Sequence, residues 1–237
     1  VLSGLKNILF IPLFGTLIVV TVFWMVNIPM IYVNYGFTKF LELMEGKNYL
    51  AWLLGMILGA MMAFDLGGPI NKAAYLFGTA SLTAQPDHTE ATISMAAAMA
   101  GGMTPPLGIA LCCTFFKKMW TDEERKTGML NYIMGLSFIS EGAIPFTLSK
   151  PKVIIPANVI GGAVTGLLIV ALCRLDSTIY PSLAEGLKIG LGITFFIVAI
   201  IAGSILEMFC IVLFDKLMNK RNNNIVKKEK TGKFNVF

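Results

Sequence analysis

YLAWLLGMILGAMMAF at residues 49–64, followed at once by DLGGPINK at 65–72, decides the fold class of this sequence. Tyr49–Phe64 is apolar, and the chain then turns polar through Asp65 and Lys72 before another apolar run begins. A lone Asp or Lys at the centre of a membrane span costs roughly 2.5–3.5 kcal/mol, so charges at that depth mark a pathway or a site. Between the two charges, Pro69 removes a backbone donor and restricts the residue before it, while Gly67 and Gly68 tolerate a turn. A broken helix carrying charges is a common way for a transporter to build a substrate site.

The composition extends this reading to the whole chain. Of 237 residues, 56% are hydrophobic and 14% charged, against about 25% charged in soluble domains. Mean hydropathy is +0.73, and the expected architecture is an all-α, polytopic membrane protein. Residues 1–214 form the membrane domain and 215–237 a basic tail, which carries seven basic and two acidic residues and accounts for the net charge of +5. A basic segment directly after a hydrophobic span reads as a cytoplasmic anchor. No aromatic interleaving or recognition motif accompanies it, so no nucleic-acid partner is expected. The sequence starts at Val1 without a charged signal peptide and reads as a fragment. Cys112, Cys113, Cys173 and Cys210 lie in apolar surroundings without metal or redox spacing and read as buried, inert thiols. His88 is the only histidine, and neither a metal nor another cofactor is expected.

Hydropathy sets out the remaining segments. Ile8–Val26 is long enough to span, whereas Asn27–Asn48 is mixed and reads either as an interfacial segment or as a tilted span. Tyr49–Phe64 and Ala73–Ala84 are each short for a crossing, which favours a hairpin that dips into the bilayer and returns. Ala91–Phe116 is long enough to cross, but Gly101-Gly102 and Pro105-Pro106 predict a kink or an unwound stretch. Thr121 followed by Glu124 forms a capping box that starts a surface helix. Met129–Leu148, bracketed by Arg125/Lys126 and Lys150/Lys152, reads as a second re-entrant hairpin with Glu141-Gly142-Ala143-Ile144-Pro145 at its tip. Val153–Cys173 spans and offers Gly161, Gly162 and Gly166 for close helix contact. Arg174–Lys188 reads as a polar loop, and Ile189–Phe214 as the last span. With the tail inside, the loop holding His88 falls outside, and the two hairpins enter from opposite faces and meet near the midplane.

At the first break, Asp65, Asn71 and Lys72 combine acceptors, an amide and a cation, the inventory that sugar hydroxyls need because each both donates and accepts. The structural alternative is a turn in which Asp65 and Lys72 pair with each other. At the second break, Glu141 stands between apolar flanks and is a candidate to bond a substrate hydroxyl or handle its proton. Its structural alternative is a cap on freed backbone amides. Glu207, in the last span, leaves open an ion-coupled secondary transporter in which Asp65, Glu141 and Glu207 hold the ion, although pairing at a helix end accounts for it equally. A non-transporting membrane remnant is a third class.

Asp65–Ala74 and Ile139–Phe146, together with Ile11–Thr16, Gly101–Gly108 and the Gly161–Gly166 cluster, closely resemble enzyme IIC, the membrane component of the fructose family of the bacterial phosphoenolpyruvate-dependent sugar phosphotransferase system. The resemblance runs from about Asn7 to about Leu172. It implies a multi-pass protein of the bacterial cytoplasmic membrane, a homodimer when full length, that binds fructose or a related sugar such as mannosylglycerate. A phosphorylated cysteine on a IIB partner, itself supplied by IIA and HPr-type carriers, then transfers its phosphoryl group to the sugar. A glutamate in a re-entrant hairpin contacts sugar in the wider superfamily, and Glu141 looks like that residue, which makes it the catalytic candidate beside substrate-binding Asp65, Asn71 and Lys72. The chain has no evident phosphoacceptor of its own, so IIA and IIB functions are expected elsewhere. The Lys117–Lys126 stretch is a candidate IIB docking surface or simply a solvated connecting helix. Two departures stand out: the family carries several more spans before this stretch, and Arg174–Lys188 is unlike its usual pattern.

Overall fold

A computed structural model describes residues 10–44, 50–84, 89–179 and 185–233. Among these residues there are helices and no strands. In chain order the α-helices are α1 (Ile11–Glu42), α2 (Ala51–Phe64), α3 (Pro69–Ala84), α4 (Thr89–Phe115), α5 (Asp122–Leu136), α6 (Ile144–Ser149), α7 (Pro151–Ile179) and α8 (Glu185–Lys233). Short 3-10 turns at Lys117–Met119 and Ser140–Ala143 precede α5 and α6. Among the described residues, four helical stretches are long and apolar enough to cross a membrane: Ile11–Glu42, Ile93–Phe115, Pro151–Cys173 and Gly192–Lys220.

α1 carries most of the mixed segment in one helix with the first apolar run. It continues through Asn27 to Glu42 without a break, and Pro29 inside it does not end it. Its apolar side chains from Phe10 to Val33 are exposed, and it joins the core only near its end, where Leu41 and Met44 pack with Phe77 of α3. By contrast, α2 and α3 have 14 and 16 residues. At 1.5 Å per residue they reach about 21 and 24 Å, less than the roughly 30 Å hydrocarbon core of a bilayer.

The centre of the molecule is a glycine crossing. α2 packs principally on α7, with Gly55 and Gly59 facing Gly166 and Gly162. A methyl group at Gly59 would run into the carbonyl oxygen of Gly162, and one at Gly101 of α4 would lie 2.5 Å from Gly59 Cα. Three backbones therefore touch where any side chain would separate them, the small-residue packing that membrane helices use in place of a hydrophobic driving force. The Gly161–Gly166 cluster thus makes the close contact expected of it.

Of the two alternatives for Gly101-Gly102 and Pro105-Pro106, the unwound stretch is absent: α4 is helical through both pairs. It is buttressed there by Thr104, whose hydroxyl donates to Ala100 O at 2.8 Å and lies 2.9 Å from Thr165 Oγ1 on α7. The predicted polar loop at Arg174–Lys188 is also largely helical: α7 runs to Ile179 and α8 starts at Glu185. No glycine or proline lies between Gly166 and Pro181, so polarity alone gave the helix no reason to stop. The capping box is present as expected, with Glu124 N donating to Thr121 Oγ1 at 3.2 Å and Thr121 N donating to Glu124 Oε2 at 2.9 Å. The Thr121 N–H holds the Glu124 carboxyl below its ordinary pKa.

Replacing Gly59 with leucine is expected to lower the thermal midpoint of the detergent-purified protein. Overpacking a tight core costs ~1–3 kcal/mol, and the obstacle here is backbone, which cannot rotate away. Gly15→Leu, at a site with nothing within 4 Å, is the matched control and should leave the midpoint unchanged.

Candidate substrate site

The turn between α2 and α3 is held by Asp65. Its Oδ2 accepts from Ile70 N and its Oδ1 from Asn71 N, both at 2.8 Å, so one carboxylate caps the first turn of α3. Gly67 supplies the left-handed backbone the turn needs, at φ +100°, and Leu66 is also in the left-handed region at +48°. Such a conformation costs a non-glycine residue on the order of 1–3 kcal/mol and is found mostly where surrounding structure or function demands it. Leu66 is held there by burial. Asn71, also buried, donates its amide Nδ2 to Met62 O and ties α3 back to α2.

Glu141 arrives from the other break. α5 ends at Leu136, Phe138 takes a positive φ of 61°, and the 3-10 turn Ser140–Ala143 brings the Glu141 side chain against Gly67. A methyl group on Gly67 would come within 2.5 Å of Glu141 Oε1, so the absence of a side chain there makes room for the carboxylate. Lys72 Nζ lies 4.0 Å from the same oxygen, and the two side chains are 59% and 48% exposed. An ion pair this long and this open contributes little stability. Both groups are therefore available to a ligand at small cost.

All four residues singled out in the sequence, Asp65, Asn71, Lys72 and Glu141, are thus clustered around the junction of the two turns. Their commitments differ. Lys72 pairs with Glu141 rather than with Asp65, whose oxygens are engaged by backbone N–H groups. The cluster also has neighbours that the sequence did not flag. Phe138 packs across Gly102 and lies 6.0 Å, ring to ring, from Tyr75. Asn131 of α5 is buried with its Oδ1 beside Gly142, and its Nδ2 has no partner among the described residues. Nothing in the sequence separates these from ordinary helix residues.

Glu207 belongs elsewhere. It is fully buried in α8, against Gly108 of α4 and Gly161 of α7. With its amide nitrogen facing them, Asn158 of α7 donates to Ile154 O and to Glu207 Oε1, each at 3.0 Å. An amide inside the span Val153–Cys173 was the signal that could have paired it with Glu207. The ion-coupled alternative asked Asp65, Glu141 and Glu207 to share an ion; instead Asp65 caps a helix and Glu207 seals a helix junction. His88 lies outside the described residues. Cys112 and Cys113 are buried, as anticipated, whereas Cys173 and Cys210 are only half-buried.

The two breaks meet in a helical chain with four stretches, among the described residues, long and apolar enough to cross a membrane, the make-up of a polytopic membrane protein. Residues 1–161 match the family described as "Phosphotransferase system, EIIC", and the chain belongs to that family. Among its relatives, the "PTS system fructose-specific EIIABC component" of Mycoplasma pneumoniae is 56% identical over 167 residues, covering 70% of this chain and 24% of that protein. The protein of the same description from Bacillus subtilis is 46% identical over 166 residues, covering 70% of this chain and 25% of its own length. The "Fructose permease IIC component" of Bacillus amyloliquefaciens is 45% identical over 166 residues, 70% of this chain and 52% of the relative. The matched stretch thus spans about a quarter of the two longer relatives and about half of the shorter one. No solved structure matches. The ion-coupled alternative finds no support among these relatives.

Asp65→Ala is expected to speed hydrogen–deuterium exchange at the Ile70 and Asn71 amides and to cost ~1–2 kcal/mol of stability, the usual loss for a removed N-terminal cap. Asp65→Asn keeps one acceptor and should fall between that variant and the parent.

Proposed function

We propose that this chain is the sugar-binding part of a fructose permease of the phosphotransferase system, and that the junction of the Asp65–Lys72 and Ser140–Ala143 turns is its substrate site. The observation that carries this reading is the approach of Glu141 to Gly67 and Lys72, because it joins two helix breaks distant in sequence around two half-exposed, opposite charges. A carboxylate and an ammonium side by side offer acceptors and donors to adjacent hydroxyls of one sugar. Asp65 organises the turn, and Asn71 holds it to α2 at the edge of the site.

In the reaction, a sugar hydroxyl oxygen attacks the phosphorus of a phosphocysteine on a IIB partner. The P–S bond breaks, the thiolate leaves with the electron pair, and Glu141 takes the hydroxyl proton. The Mycoplasma pneumoniae and Bacillus subtilis relatives are described as EIIABC components, which supports IIA and IIB partners for this chain. Both broken segments are re-entrant in this reading, α2 and α3 being too short to cross and return at full depth. The C terminus is cytoplasmic, and the complete permease is a homodimer in the bacterial cytoplasmic membrane.

Glu141→Gln in the complete permease preserves shape but removes proton acceptance. General-base loss typically costs 10²–10⁴-fold, so fructose phosphorylation driven by phosphorylated IIB should drop by at least about 100-fold while membrane insertion is unchanged. Full activity in that variant would reduce Glu141 to a structural role. Fructose uptake that proceeds without phosphoenolpyruvate would contradict the assigned function itself.

A further inference from the structure

We propose that the basin where α4 hands over to α5 is a binding site for the phosphate headgroup of an anionic phospholipid. The basin has a volume of about 380 Å³, with Lys117, Arg125 and Lys126 on its wall and Cys113, Thr114 and Met129 among its lining. Asp122 is the one acidic residue of the lining. It pairs with Arg125 Nη1 at 3.1 Å and is itself 90% exposed, so it neutralises one cation of three from the solvent side. Arg125 Nε is buried and has no hydrogen-bond partner among the described residues. Among those residues neither Lys117 nor Lys126 forms an ion pair. Glu124, on the same turn, is engaged by Thr121 and Ser149.

The surroundings select an amphiphile over a soluble anion. The basin lies at the C-terminal end of Ile93–Phe115, a stretch apolar and long enough to cross, so it sits where hydrocarbon gives way to headgroups whichever side that is. Along α5, Arg125, Met129, Ile133 and Leu136 follow one another at helical spacing, a cation at the head and apolar residues below it. Met129, Ile133 and Leu136 are 50%, 68% and 69% exposed, and Phe115 of α4 is 68% exposed. An acyl chain can lie along this strip while its phosphate reaches the basic wall. Basic pockets between membrane helices recognise anionic headgroups in this manner, each cation near the surface adding roughly a severalfold gain in affinity.

Native mass spectrometry of the detergent-purified chain, titrated with phosphatidylglycerol or phosphatidylcholine, tests the site. Phosphatidylglycerol adducts should survive mild activation and weaken roughly 10-fold or more in Lys117→Gln/Arg125→Gln/Lys126→Gln. Lys117→Gln/Lys126→Gln, which spares the Asp122 pair, should lose an intermediate amount and keep the parent's thermal midpoint. Phosphatidylcholine binding should be unaffected, and Lys216→Gln/Lys220→Gln on α8 should match the parent. Equal weakening in that control pair, or displacement of the lipid by inorganic phosphate at comparable concentration, would overturn the proposal. So would unchanged lipid adducts in the triple variant accompanied by lost phosphoryl transfer from IIB, which would make the basin a protein-docking surface.

Discussion

The helix core formed by α2, α4 and α7 is arranged around the contact of bare backbones at Gly59, Gly101 and Gly162. Inside a bilayer, apolar side chains gain little by leaving lipid for one another, so helices associate where their backbones can come close. The crossing anchors α2 against α7 and α4, and by doing so it determines where α2 ends. Two turns beyond Gly59, Asp65 stops that helix and starts α3, which sets Gly67 in the path of Glu141. Widening the crossing would move this whole turn away from α5 and the segment that follows it.

The polar groups fall into two sorts with different physics. Several that complete the scaffold are satisfied internally: Asp65 by two backbone amides, Thr104 and Thr165 by each other and by helix carbonyls, Asn158 by Ile154 O and one oxygen of Glu207. Lys150 at the start of α7 behaves likewise, donating to Met119 O at 3.0 Å and Asp215 Oδ1 at 3.4 Å while lying 4.7 Å over the Trp120 ring. Asp215, the first residue of the basic tail, is thereby fastened to the bundle. Lys72 and Glu141 are the other sort, half exposed and separated by 4.0 Å. Left-handed backbone at Leu66 and Phe138 flanks them on both sides, a concentration of strain that fits a site more than a simple turn.

Local chemistry was readable from the sequence wherever it acts within a few residues. The capping box at Thr121, the breaks at Asp65–Pro69 and Glu141–Pro145, and the glycine cluster of α7 all appear where their residue types require them. Reading failed where the deciding partner is remote. Gly-Gly and Pro-Pro in α4 suggested a kink or unwinding, and unwinding does not occur; the supporting hydroxyl of Thr165 comes from a helix about sixty residues on. Polarity after Cys173 suggested a loop, although only a helix breaker would have forced one. The bond from the Asn71 amide nitrogen to Met62 O was likewise invisible, because it exists only once α3 has folded back on α2.

The claim at the centre of this account is that sugar occupies the junction of the two turns. The most direct test is alkylation of Ile70→Cys and, separately, Ile139→Cys in membrane vesicles of the complete permease, one beside each turn with Lys72 and Glu141 left in place, and with the parent's own thiols as background. Fructose should slow the reaction of both cysteines severalfold, while a sugar that is not transported leaves the rates unchanged. Equal rates at both positions with and without saturating fructose would contradict the account.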